Sequence, residues 1–338
     1  MTSVFVAFED RLVRVGDRGR DWSASTVLTE STLGDATIWD VAVHPDHPAR
    51  VFCATFERGL LRSDDGGDSW RRCDDGAFES AAVTAVTLDP ADPAVVYAGT
   101  EPSRIYRSTD GGVSWAHRDG LIDLPSASQW SYPPRPTTHH VRWIEVDPLD
   151  PETLYVSVEA GALVRSFDAG ATWVDRVSSG KRDVHSLATH PEAPGHVWAA
   201  AGDGYAESTD GGDSWEAREE GLDARYCWSV ALDPADPETV LLSAARGPRT
   251  AHRSARAESF VFRKQTGDAW ERIDDDLPTG DGVLRYVLAS GRSGGALFAA
   301  TNVGIFRTTD AGDSWTGVDV DWPAALERQP VNGMAVVP

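Results

Sequence analysis

Seven tryptophans recur along this 338-residue chain, at positions 22, 70, 115, 173, 215, 270 and 315, so successive copies stand 42 to 58 residues apart. Five of them close one eight-residue phrase: SDDGGDSW (Ser63 to Trp70), STDGGVSW (Ser108 to Trp115), SFDAGATW (Ser166 to Trp173), STDGGDSW (Ser208 to Trp215) and TTDAGDSW (Thr308 to Trp315). VGDRGRDW and RKQTGDAW, ending at Trp22 and Trp270, are worn copies. Such self-similarity marks a repeat architecture, in which each unit buries its apolar face only against its neighbours. Function must then be sought where the repeats differ.

The unit reads most clearly from 82 to 120. AVTAVTLDP alternates with period two, as a strand does, and ends at Asp89-Pro90. Val95 to Ala98 and SRIYRS read as second and third strands, and AHRDGL after Trp115 as a short polar fourth. Four short strands punctuated by Gly, Pro and Asp turns make a propeller blade. The phrase spans the hairpin between strands three and four. Its Asp can accept hydrogen bonds from backbone N–H groups two or three residues on, its glycines supply positive φ, and its Ser or Thr hydroxyl can pin the other limb. The Trp leaves the turn as an apolar plug whose indole N–H needs a carbonyl. Asp17, Asp65, Asp110, Asp168, Asp210 and Asp310 are therefore read as structural. The rival reading takes Asp64, Asp65 and Asp68 as cation ligands, but the phrase lacks the ligand alternation and terminal Glu of an EF-hand.

The repeated S-x-D-x-G-x-S/T-W phrase resembles the Asp-box (BNR) repeat shared by sialidases, the sortilin ectodomain, xyloglucanases and the photosystem II assembly and stability factor. The resemblance covers essentially the whole chain. It implies a propeller in which the box is structural and lies away from the ligand site, and it leaves function open.

Counting first strands gives seven blades: Ile38–Val43, Val83–Leu88, Val141–Val146, Val184–Thr189, Cys227–Leu232, Leu284–Ala289 and Val331–Val336. The last has no box after it, and the N-terminus has later strands without a first. The two ends complete each other. The expectation is an all-β, seven-bladed β-propeller, one domain over residues 1–338, closed by Val331–Val336 pairing beside Val4–Phe8.

The formal charge is −22, and only Lys181 and Lys264 are lysines. That field disfavours nonspecific binding to nucleic acid or an anionic membrane. It suits a haloarchaeal-type cytoplasm with molar salt, where screening removes the self-repulsion; a merely solvated acidic surface is the plainer reading. Cys53, Cys73 and Cys227 show no CxxC spacing and argue against a disulfide framework. The start, MTSVFVAFEDRLVRV, has no signal-peptide pattern, and no stretch approaches 18 apolar residues, so a cytoplasmic protein is expected.

Two insertions reach one face, here called the top. Asp119 to His140 carries Trp130, Tyr132, Arg135, His139 and His140; Arg246 to Ser259 carries Arg246, Arg249, Arg253 and Arg256. Long loops on a rigid scaffold often carry function. Aligned first strands place Trp39, Thr84, Arg142, His185, Trp228, Arg285 and Asn332 at one register position near the channel mouth. The next position reads Asp40, Ala85, Trp143, Ser186, Ser229, Tyr286 and Gly333. Arg182, Arg225 and Tyr226 lie just upstream. The candidate ligand-binding set is Trp39, Arg142, Trp143, His185, Arg225, Trp228, Arg285, Tyr286 and Asn332. Arginine beside aromatics suits a carboxylate, a phosphate or a sugar ring. Glu9, Glu57, Glu101, Glu159 and Asp203 follow second strands toward the same face, where they either meet a ligand or only pair with the arginines.

Two functions compete. The first is a non-catalytic scaffold holding a protein partner or an anionic or carbohydrate ligand at the top face. It is expected to act as a monomer, with no cofactor, no metal, no nucleic acid and no membrane. The second is a sialidase-like glycoside hydrolase or lyase using the same mouth. Resemblance to sialidases implies an arginine trio, a Tyr–Glu nucleophile pair and an Asp acid, which Arg142, Arg225 and Arg285 with Tyr286 or Tyr226 partly imitate. The six blades and F/Y-R-I-P motif of sialidases are missing here. Xyloglucanases form their cleft between two propellers, and this chain has one. Some propeller lyases use a His with a divalent cation, which raises His139, His140 and His185; adjacent His139 and His140 would face opposite ways if extended. No phosphate-cradling Gly loop, nucleophile elbow or zinc spacing is present.

Overall fold

The computed structural model describes every residue except Met1, Arg18, Arg20, Asp75, Thr266 and Pro338. The worn phrases before Trp22 and Trp270 include Arg18, Arg20 and Thr266, which lie outside the described residues. Seven antiparallel sheets form the seven blades of a β-propeller. Inner strands begin at the top and run down the channel: Thr37–Val43, Val83–Leu88, Val141–Val146, Val184–Thr189, Tyr226–Asp233, Val287–Ser290 and Gly333–Val337. The sixth starts three residues later than its apolar run predicts, because Leu284 to Tyr286 are not paired as strand. The third blade has three strands, its outer limb reduced to one bridge between Arg165 and Val174.

The ring closes through its two ends. Gly333–Val337 lies antiparallel to Ser3–Ala7, with Val4 opposite Val336 and Val6 opposite Met334. Asn332 then ties this closing blade to the first, its side-chain N–H donating to the Ile38 carbonyl at 2.8 Å and its backbone N–H to Ala7. Both edges that an open sheet would expose are thereby paired.

Apolar clusters fill the spaces between blades. One packs Tyr97 and Ile105 against Val141, Leu154 and Val156 of the next blade. The repeated turns add polar cement to these joints. Asp110 accepts from the backbone N–H groups of Val113 and Ser114 at 3.0 and 2.8 Å, and from the hydroxyls of Ser108 and Ser114. Its reach is thus three to four residues. Ser108 Oγ in turn accepts from Gly112 N–H at 2.8 Å. Asp65, Asp168, Asp210 and Asp310 repeat the pattern, and Asp17 accepts from Gly19 N–H. Indole N–H groups reach carbonyls of the preceding blade: Trp70 to Val27, Trp115 to Cys73, Trp173 to Asp119 and Trp270 to Arg218. Arginines on third strands return the contact, Arg62 to the Gly111 carbonyl and Arg165 to that of Gly211. These turns face away from the top.

Among the described residues no helix is long and apolar enough to cross a membrane.

Candidate functional site

A β-bulge interrupts five inner strands at one register position. Pairing slips between Ile38 and Asp40, Val83 and Ala85, Val141 and Trp143, Val184 and Ser186, and Cys227 and Ser229. The unpaired residues are Trp39, Thr84, Arg142, His185 and Trp228. A bulge re-aims the side chain of its extra residue, and here it turns the set toward the channel. Arg285 and Asn332 hold the matching places just before the sixth and seventh inner strands.

Five of these seven residues line a cavity of about 600 Å³ that opens on the top face. Trp39, Arg142, Trp228, Arg285 and Asn332 line it, with Glu9, Glu159, Asp183 and Tyr226. The 119–140 insertion contributes Tyr132, Pro133 and Pro134 to the wall, and the 246–259 insertion contributes Pro248, Arg249, His252 and Arg253. The first insertion stands at the rim and leaves the mouth open. Trp130 anchors it among buried residues of the third blade, and Arg135 clamps it by a two-point ion pair to Glu101, at 2.8 and 2.5 Å. Arg135 also lies over the Trp39, Phe56 and Tyr132 rings. His139 packs edge-on against Trp130, while His140 turns the other way, toward Tyr132 and Trp39.

Four members of the sequence-derived set do not line the cavity. His185 is fully buried, packed against Tyr226 and Trp228. Tyr286 is buried in an inter-blade cluster and donates to the Pro278 carbonyl. Trp143 points sideways, its indole N–H on Glu145 at 3.0 Å. Arg225 is mostly exposed and pairs with Glu219 at 3.3 Å. The register explains Trp143 and Tyr286. Their position follows the bulge and faces the neighbouring blade, where Asp40, Ser186 and Ser229 accept from the N–H groups of Val86, Val230 and Leu288.

The floor is built around Trp228, with Arg285 and Arg142 guanidiniums 4.1 and 4.8 Å from its ring centroid. Arg142 reaches one carboxylate, Glu159, at 3.9 Å. Arg285 is buried, and its partners are His252 Nδ1 at 3.0 Å and Asn332 Oδ1 at 2.7 Å; its Nε has none, and no carboxylate among the described residues pairs with it. Burial, then the charge of Arg142, pulls its pKa down to about 9.

These contacts orient a chain of hydrogen bonds. Arginine can only donate, so His252 Nδ1 accepts and its Nε2–H donates to the Tyr226 oxygen at 3.0 Å. The Tyr226 hydroxyl then faces His185 Nε2 at 3.4 Å, and His185 Nδ1–H donates to the Cys227 carbonyl at 2.6 Å. Burial, reinforced by Arg285, holds His252 neutral with a pKa of about 2. Burial also lowers that of His185 and, with the nearby charge of Glu159, raises that of the Tyr226 hydroxyl. Burial pushes Asp183 up. It acts upward on Glu159 as well, but the hydrogen bond from His140 and the charge of Arg142 hold that carboxyl well below the usual range.

Sequence reasoning passed over Asp183 and His252. Asp183 sits in a polar run between blades, and His252 is inside an insertion whose arginines dominate it. Only the short helix Pro248–His252 folds that ring back over the mouth.

No protein-family model matches the chain, and no curated protein matches it in sequence. Solved structures do. A GH74 enzyme from Niastella koreensis superposes with a TM-score of 0.69 at 15% identity, over 93% of this chain and 52% of that one. An ancestral GH74 enzyme gives 0.62 at 16%, over 88% and 38%. YCF48 bound to D1 peptide gives 0.58 at 18%, over 86% and 82%. The chain thus spans about half or less of the length of these two GH74 enzymes. Likeness at this identity establishes the β-propeller and nothing finer.

Proposed function

We propose that this propeller is a binding scaffold whose top mouth captures an anion: a carboxylate- or phosphate-bearing molecule of sugar size, or an acidic side chain of a partner segment. The observation that carries the reading is Arg285, a buried guanidinium with no carboxylate partner among the described residues, set with Arg142 against one indole at the floor of an open cavity. Like charges held this close favour an anion between them. YCF48, whose fold is similar, has been solved bound to D1 peptide, which is compatible with a partner segment as ligand.

We infer an Asp-box propeller, one domain over residues 1–338, suited to molar salt by its charge of −22 and two lysines. Three buried free cysteines fit a reducing cytoplasm.

The test is calorimetric titration of wild type and Arg142→Ala/Arg285→Ala with glucuronate, glucose 6-phosphate and an Asp/Glu-rich peptide. At least a tenfold loss of affinity is expected in the variant, about 1.4 kcal/mol. Equal binding by both proteins, or none by wild type, would overturn the reading.

One observation favours the enzymatic alternative. Glu159 and Asp183 line the same cavity as the arginines, with a carboxylate oxygen of each within 4.8 Å of the other, close to the ~5–5.5 Å separation of retaining glycosidases. Release of reducing ends or unsaturated products from acidic oligosaccharides, lost in Asp183→Asn, would select hydrolase or lyase over scaffold.

A further inference from the structure

Glu159, Asp183 and His185 meet at the edge of the mouth, with one donor atom from each within 4.8 Å of the others. They come from different places in the chain. Glu159 follows a second strand, Asp183 precedes the fourth inner strand, and His185 is that strand's bulged residue.

Each side chain is anchored through an atom that leaves another free. His185 Nδ1–H donates to the Cys227 carbonyl at 2.6 Å, which fixes the tautomer and leaves the Nε2 lone pair toward Asp183, 3.7 Å from its Oδ2. Asp183 Oδ1 accepts the Ala160 N–H at 3.0 Å. Glu159 Oε2 accepts from His140 Nε2 at 3.0 Å. Backbone carbonyls, backbone amides and a second histidine are the partners that orient metal ligands. The remaining contact of His185 Nε2 is the Tyr226 hydroxyl at 3.4 Å, too long to hold it firmly.

We propose that Glu159, Asp183 and His185 form a divalent-cation site, taking Zn²⁺ or Mn²⁺ through one imidazole nitrogen and two carboxylate oxygens. One nitrogen and two oxygens suit these borderline ions better than Cu(I), which prefers sulfur. Three protein ligands leave a further position open, and Glu159 and Asp183 line the cavity, so that position faces it. Bonds of about 2.0–2.2 Å draw the donors together by roughly 1 Å, a movement open to carboxylates on a cavity wall. No sequence motif marks this grouping, because Asp183 stands in a polar run between blades. The site stands apart from anion capture: it is measured with the metal alone.

The test starts from full-length protein stripped by chelation and then dialysed into molar KCl, which suppresses loose association of cations with an acidic surface. Titration with Zn²⁺ and with Mn²⁺ is expected to show one equivalent bound by at least one of them, and that metal to raise the melting temperature. Asp183→Asn keeps the acceptor for Ala160 and should weaken binding at least tenfold. His185→Gln should do the same, and Glu192→Gln, an exposed carboxylate on the opposite face, should change nothing. If His185→Gln fails to fold, Asp183→Asn decides alone. Absence of a one-equivalent site in wild type for both metals overturns the proposal. So does equal affinity in Asp183→Asn. Loss of anion capture with metal binding intact would strike the scaffold reading and leave this one standing.

Discussion

The guanidinium of Arg285 lies over the indole of Trp228, 4.1 Å from its ring centroid. A desolvated cation–π contact is worth about 2 kcal/mol, while burying an ion costs several. His252 and Asn332 are neutral partners and leave a deficit that an anion would fill. Arg285→Leu removes that deficit and is therefore expected to raise the melting temperature of the empty protein. The same change should abolish the rise in melting temperature that glucuronate or phosphate gives to wild type. Destabilisation by Arg285→Leu would mean that the arginine is structural cement.

Asp110 gathers two backbone N–H groups and two hydroxyls, and these bonds hold its carboxyl below the usual range. The turn they close carries Trp115, whose indole N–H crosses to Cys73 of the preceding blade. Asp110→Ala should lower the melting temperature by several degrees and leave titration at the mouth unchanged, since the turn is on the opposite face. Normal melting with lost ligand binding would reverse that assignment.

The repeated phrase made the blades, their number and the closure readable, because each copy fixes the same local hydrogen bonds wherever it occurs. The mouth was half readable. Register alignment found Arg142, Trp228, Arg285 and Asn332, since the bulge repeats with the strand. It misplaced Trp143 and Tyr286 because alternation alone does not say which neighbour a residue faces after a bulge. Arg225 failed for a different reason: it lies before its strand, where nothing fixes its direction. Asp183 and His252 depend on how loops fold back, and no period records that.

Closure predicts a large effect from a small deletion. Removing residues 331–338 takes away the strand paired with Ser3–Ala7 and the Asn332 bridge to Ile38. It uncovers an apolar edge, Val4 to Ala7, that is buried in the intact chain. Aggregation, or a much lower melting temperature, is expected by light scattering and thermal melts. A truncated chain that melts like wild type would show that the ring closes by other means.

Stability should peak in mild acid. Burial raises Asp40 to about 6, against the N–H groups of Val86 and Val41 that hold its charged form. Burial likewise raises Glu145 to about 7, against Trp143 and Thr189. The unfolded chain keeps both near 4, so between about pH 7 and pH 4 the folded state holds more protons. Stability then rises as pH falls through that window, by roughly 1.4 kcal/mol for each pH unit separating the two states' pKa values. Other carboxylates act in the opposite sense. Hydrogen bonds from Ser69, Ser214 and Ser314 hold Asp65, Asp210 and Asp310 at about 2. Glu207, pushed up by burial but held down more strongly by His196 and Lys264, is also near 2. Their contribution is present above about pH 4 and is lost as pH falls toward 2. Melting temperature is thus expected to climb from pH 8 to about pH 5 and to fall below about pH 4. Relief of the net charge would also produce a climb, so the variants decide. Asp40→Asn/Glu145→Gln should flatten the rise and keep the fall below pH 4. A double variant with the full rise would assign it to surface repulsion instead of these two buried acids.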